Sequence, residues 1–139
     1  MKTLKKADLL ALLSVPSESG ETTRMAEHIT SFCHSLGCKV EQDSIGNLYV
    51  TKGDQSGKVP ACACHIDTVH KIELGGILPV EIDGKITGIN PTTMAQTGIG
   101  GDDKGGIWAA LRCLEALPAV KAVFFVDEEV GCVGSSRSD

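Results

Sequence analysis

The sequence predicts an α/β domain with a partly parallel sheet, on three observations. Two short apolar runs, residues 59–65 and 120–126, suit buried strands. Apolar residues recur at helical spacing in two segments, as Met25, Ile29, Phe32 and Leu36 and as Ile107, Leu111 and Leu114 with Ala110. Helical and extended segments follow one another in the order of a layered α/β domain.

Taken in order, residues 1–14 read as an amphipathic helix ended by Pro16. Lys2, Lys5 and Lys6 before Leu9-Leu10-Ala11-Leu12-Leu13 give it a faint look of a secretory signal. That run is short, Asp8 borders it, and no small-residue cleavage site follows. The second helix carries the Met25 stripe and stops at Gly37. Residues 39–43 and 48–51 read as strands, joined by a turn at 44–47 in which Gly46-Asn47 is the flexible pair. Residues 52–57 form a polar loop. The strand at 59–65 tolerates Pro60 near its start. Asp83-Gly84, between 80–82 and 85–87, is the strongest hairpin signal in the chain. Residues 90–101 are loop-like. A helix from about Gly105 to Ala116 ends before Pro118, and 120–126 is the second buried strand. There is no internal repeat and no low-complexity segment.

With 139 residues, 42% hydrophobic and 22% charged, the chain suits one globular domain with a single core. A net charge of -5 argues against nucleic acid or an anionic membrane as partner. Aromatic content of 4% argues against a base-stacking platform. No apolar run approaches the roughly 20 residues that span a bilayer. Without a secretion signal, the six cysteines are expected to be reduced thiols in a cytoplasmic protein. Cys62 and Cys64 share one side of a strand and read as small core residues rather than a soft-metal pair.

Three segments carry the chemistry: His65-Ile66-Asp67-Thr68-Val69, Gly98-Ile99-Gly100-Gly101-Asp102-Asp103-Lys104-Gly105-Gly106, and Val126-Asp127-Glu128-Glu129-Val130-Gly131. The first and third lie at the carboxyl ends of the two buried strands, where open α/β sheets place their sites. The second enters a helix. Imidazole and carboxylate are ligands of hydrolytic zinc and also suit manganese or cobalt. Asp67, two residues beyond His65, can hold the second ring nitrogen. Asp102 or Asp103, on a glycine-rich loop, suits a carboxylate shared by two cations about 3.5–4 Å apart. Glu128 and Glu129 are neighbours and aim differently, so one can ligate while the other faces water. Each piece alone has a plainer reading. A lone His-x-Asp is a structural histidine, a Gly-rich loop is a turn, and a Glu-Glu pair is a solvated face. The loop lacks the Lys-Ser/Thr spacing of a phosphate-binding loop. The combination in this order is what carries the metal reading.

Together the three segments resemble those of the dinuclear zinc exopeptidase and deacylase family that includes peptidase T, aminoacylase and carboxypeptidase G. The resemblance is closest to the peptidase T-like aminopeptidases, whose middle motif also reads Asp-Asp-Lys before a small residue. It extends from the first helix through Gly131. It implies a three-layer catalytic domain with a mixed sheet between helices. It also implies two divalent metal ions, zinc or else manganese or cobalt, with His65 and Glu129 as ligands of one each and Asp102 bridging them. Asp67 would orient His65, Glu128 would be the general base, and the Asp102-Asp103 peptide would be cis. The implied reaction is hydrolysis of a short peptide by an aminopeptidase. N-acyl amino acid deacylase or dipeptidase activity is the alternative within the family, and a non-catalytic remnant or a mononuclear metal-binding protein the alternatives outside it. His28 and His34 are expected on the surface without a role, His70 as a spare ligand at most, and Asp127 as structural.

The family's chains are longer. They supply a further acidic ligand and a late histidine, and insert a lid or dimerisation domain. Residues 1–139 are therefore expected to be the N-terminal part of a catalytic domain without that second domain, from a parent that can form homodimers.

Overall fold

The structure, a computed structural model, describes residues 3–72 and 75–138. Helices α1 (Lys6–Ser14) and α2 (Thr23–Ser35) precede strands β1 (Lys39–Gln42), β2 (Leu48–Lys52) and β3 (Ala61–His65). Strands β4 (Leu78–Ile82), β5 (Lys85–Ile89) and β6 (Gln96–Thr97) form a small antiparallel sheet. Helix α3 (Gly101–Ala116), strand β7 (Val120–Phe125) and the short α4 (Val133–Ser136) follow.

The main sheet has the order β1-β2-β7-β3. Its β3–β7 pair is parallel and the others antiparallel. Register explains the core. Leu48 and Val50 lie beside Phe124 and Ala122, which lie in turn beside Cys64 and Cys62. All six therefore share one face of the sheet. That face packs against Leu12 of α1, Met25, Ile29 and Phe32 of α2, and Ile107, Leu111 and Leu114 of α3 in one continuous cluster. The helical stripes read from the sequence are thus the surfaces that dock on the sheet.

On the opposite face Tyr49, Val123 and Phe125 are half-buried, and Ala61 and Ala63 are exposed. The expected mixed sheet with flanking helices is present. Among the described residues, α1, α2 and α3 pack on the first face. No helix among them is long and apolar enough to cross a membrane.

Three elements differ from the sequence expectation. Helix α3 starts at Gly101, not at Gly105, because its first turn is kinked: Asp102 and Asp103 have non-helical backbone angles. Apolar periodicity registers only the regular part beyond them. Residues 90–101, read as loop, contain β6, a strand of two residues and too short for alternation to show. The chain after β7 closes into α4, a single turn.

All six cysteines are free. Cys33 of α2 is fully buried, and burial, with a smaller push from Cys38, raises its thiol to about 12. In the unfolded chain a thiol titrates near about 8.5. The folded state therefore holds a proton that the unfolded state releases, and stability falls as pH rises from about 8.5 towards 12. Urea midpoints should drop between pH 7.5 and pH 10, and Cys33→Ala should flatten that drop. Equal pH slopes for the two proteins would contradict the assignment.

Candidate metal centre

The parallel pairing of β3 with β7 builds the site. His65 is the last residue of β3 and pairs with Phe125, the last of β7. Chain direction then carries Glu128 and Glu129 off the same rim as His65. Helix α3 packs against both strands, which brings its kinked start, with Asp102 and Asp103, to that rim.

The His65 side chain is mostly buried. Its Nδ1 lies 3.0 Å from the Asp67 carbonyl oxygen and 3.3 Å from Asp67 Oδ1. Its Nε2 lies 3.0 Å from Asp102 Oδ1 and 3.8 Å from Glu128 Oε2. With Nδ1–H donating to the Asp67 carbonyl, Nε2 presents a lone pair towards Asp102. Two acceptors at that distance require positive charge between them, a proton or a cation. Burial opposes a proton on the ring, but the hydrogen bond to Asp102 and the charges of Asp67, Asp103 and Glu128 outweigh it and raise the pKa of His65. Ligand atoms of His65, Glu128 and Glu129 all lie within 4.8 Å of one another. One imidazole with carboxylates is a donor set for zinc, manganese or cobalt.

Asp67 does more than face His65. It is fully buried, and its carboxylate accepts from Ser19 Oγ at 2.7 Å, from the Glu128 amide at 3.0 Å and from the Glu129 amide at 3.1 Å. Burial disfavours its charge, but these donors outweigh that and hold the carboxyl below its usual range. One carboxylate thereby sets the ring on β3 and the two glutamates after β7 against each other.

The neighbouring aspartates divide their work. Asp102 is exposed and turns to His65. Asp103 turns back: it accepts the Gly106 amide at 2.9 Å and the His65 amide at 3.3 Å. A side chain at Gly106 would sit 2.3 Å from Asp103 Oδ1 and would displace the carboxylate from the Gly106 amide. The Asp102-Asp103 peptide is cis, as the resemblance implies. Lys104 is fully buried and donates to the carbonyls of Leu13 and Val15, tying this start of α3 to the end of α1.

All five residues singled out from the sequence, His65, Asp67, Asp102, Glu128 and Glu129, thus meet at one rim. His28, His34 and His70 take no part in the cluster. His34 is exposed and His28 half-buried, both on α2. Asp127 accepts the Gly20 amide at 2.7 Å, a structural contact. Sequence reasoning missed Ser19, and it missed Cys132, whose Sγ lies 3.5 Å from Glu128 Oε1. Neither stands in a pattern that marks it. A cavity of about 260 Å³ opens beside the cluster, lined by Ala63, His65, Asp103, Phe125, Glu128 and Ser135. A larger groove of about 760 Å³ runs along α2 between Thr23 and His34 and reaches only Val126 and Asp127 of the rim. The smaller cavity is the one that holds chemistry.

No family profile matches the sequence, and no curated protein does. Solved structures do. The chain is similar to aminopeptidase PepT from Bacillus cereus, with a TM-score of 0.76 and 25% identity over 96% of this chain and 38% of that one. A tripeptidase from Staphylococcus aureus gives the same values. The fold is shared also with aminoacylhistidine dipeptidase from Vibrio alginolyticus, with a TM-score of 0.77 and 22% identity over 99% of this chain and 31% of that one. The chain spans less than two fifths of the length of each of these relatives.

Removing the Asp67 carboxylate leaves two amides and a hydroxyl unpaired in a buried setting. Asp67→Ala is expected to cost at least about 3 kcal/mol in a urea titration, at roughly 1–3 kcal/mol for each charge-assisted bond. Asp67→Asn, which keeps one acceptor oxygen, should lose less. A loss below about 1 kcal/mol for Asp67→Ala would show that the carboxylate does not hold the rim together.

Proposed function

We propose that this chain, which has the fold of the zinc exopeptidase and deacylase family to which its peptidase relatives belong, takes part in metal-dependent hydrolysis of the amino-terminal peptide bond of short peptides. The observation that carries the proposal is the convergence of His65, Glu128 and Glu129 ligand atoms within 4.8 Å at the carboxyl rim of a parallel strand pair, with Asp102 on the same imidazole. The donor set suits divalent cations, zinc in the first place; two of them would be held by Asp102 together with His65 and with Glu129 respectively. That gives two protein donors per cation where three are usual, so the reading calls for further donors beyond these residues. Divalent cations bound there would lower the pKa of a water and polarise the scissile carbonyl.

The residues present do the rest. Asp67 fixes the His65 ring through its carbonyl and carboxylate, so that Nε2 faces outwards. Glu128 has an oxygen 3.8 Å from His65 Nε2 and remains partly open to solvent. It suits a general base that takes the proton of the attacking water and returns it to the leaving amine. Glu129, one residue on and held by the same Asp67, is left to ligate. The six free cysteines favour a reducing, cytoplasmic setting.

The test is a titration with zinc, manganese and cobalt at neutral pH, made on a chain extended to carry the further donors, followed by assay of loaded protein against tripeptides, dipeptides and N-acyl amino acids. Stoichiometric uptake and release of the amino-terminal residue from tripeptides are expected. Glu128→Gln should keep the cations and lose turnover by about 10²-fold or more. Glu129→Ala should lose cation affinity. Full activity of Glu128→Gln would remove the base assignment, and no cation uptake by the unaltered protein would remove the proposal.

A further inference from the structure

The Glu128–Glu129 segment leaves the sheet at Val126 and returns at Gly134, whose amide donates to the Val126 carbonyl at 3.0 Å. Asp67 supports the segment at the two glutamates. A second support lies at its base. Asn47, in the turn between β1 and β2, is fully buried. Its Oδ1 accepts the Val126 amide at 3.0 Å, and its Nδ2 donates to the Gly134 carbonyl at 3.0 Å. The second Nδ2 hydrogen goes to Asp43 Oδ2 at 2.8 Å. Asp43 in turn accepts the Ile45, Gly46 and Asn47 amides through its other oxygen. Both donors of the Asn47 amide are therefore used, and the network fixes which way it points. The space is closed as well: a side chain at Gly134 would lie 2.3 Å from the Val126 carbonyl oxygen and 2.5 Å from Asn47 Oδ1.

From this geometry we infer that Asn47 is a positioning residue for the glutamate pair. It touches neither glutamate, and it spans the two ends of the segment that carries both. The inference rests on the reading of this rim as a cation site. Its physical content is local. One side-chain amide, fixed in the β1–β2 turn by Asp43, sets the width of the segment at its base. With the base fixed and Asp67 holding the tip, Glu128 and Glu129 have little backbone freedom left. Supports of this kind beneath metal ligands change affinity by about 10–100-fold when removed.

Asn47→Ala removes both bonds. Asn47→Asp keeps the acceptor but sets an oxygen against the Gly134 carbonyl and the Asp43 carboxylate. Zinc affinity by calorimetry should fall about 10–100-fold in both variants, with the far-ultraviolet circular dichroism of the unaltered protein retained. Amide exchange at Glu128 and Glu129 should quicken by about tenfold or more, while exchange in the buried turns of α3 stays unchanged. A general structural role would instead raise exchange across α3 and leave the affinity of the folded fraction as it was; that result would overturn the inference. So would outright unfolding of both variants, since the loss would then belong to the fold and not to the segment. If the unaltered protein takes up no zinc, the cation reading fails, and exchange at Glu128 and Glu129 alone decides the place of Asn47.

Discussion

A single buried charge organises this domain. The Asp67 carboxylate lies in the interior beside the His65 ring, and is made tolerable by donors drawn from far apart in the chain: 48, 61 and 62 residues away. A carboxylate in a low-dielectric setting is costly unless its lone pairs are filled. Filled with two backbone amides and a hydroxyl, it becomes a rigid junction. The ring of His65 and the glutamate segment take their places from it. The arrangement of the rim depends on this one buried residue.

The same rim gathers Asp102, Asp103, Glu128 and Glu129 around one imidazole. Like charges at close range oppose folding, so the backbone that carries them has to be held by other means. Asp103 spends its charge on the Gly106 and His65 amides. Lys104 anchors the start of α3 to the end of α1. At the other end of the helix, Lys52 Nζ donates to the carbonyls of Leu114 and Glu115 and closes its last turn. The two lysines fix α3 at both ends, and with it the distance between Asp102 and the strands. Stability is thus drawn from the helix side of the sheet and used on the rim.

Much of this was legible in the sequence because period and punctuation are local. The stripe of Met25, Ile29 and Phe32, the runs at β3 and β7, and the Asp83-Gly84 turn each announce an element by themselves. Strand ends and a helix start put the histidine, the paired aspartates and the paired glutamates towards one rim, while the choice of Asp102 over Asp103 and the division between Glu128 and Glu129 came from the resemblance alone. What stayed hidden depends on tertiary pairing. Asn47 reads as half of a flexible Gly-Asn turn, yet it is the most tightly held side chain of that turn, since its partners lie 79 and 87 residues away. Ser19 sits in a polar stretch with nothing to distinguish it. The kink that moves the start of α3 to Gly101 comes from the Asp102 and Asp103 backbone, which no apolar period records.

The parallel β3–β7 pair has a consequence for how the molecule comes into being. Hairpins β1–β2 and β4–β5 join neighbours in sequence and can close early. Strand β3 must wait for β7, with the whole of the small sheet and α3 looped out between them, and closure of so long an excursion is entropically slow. The rim therefore arises late, when that excursion is drawn in, and a nascent chain that has not yet emerged past Phe125 has not brought His65 and the two glutamates together.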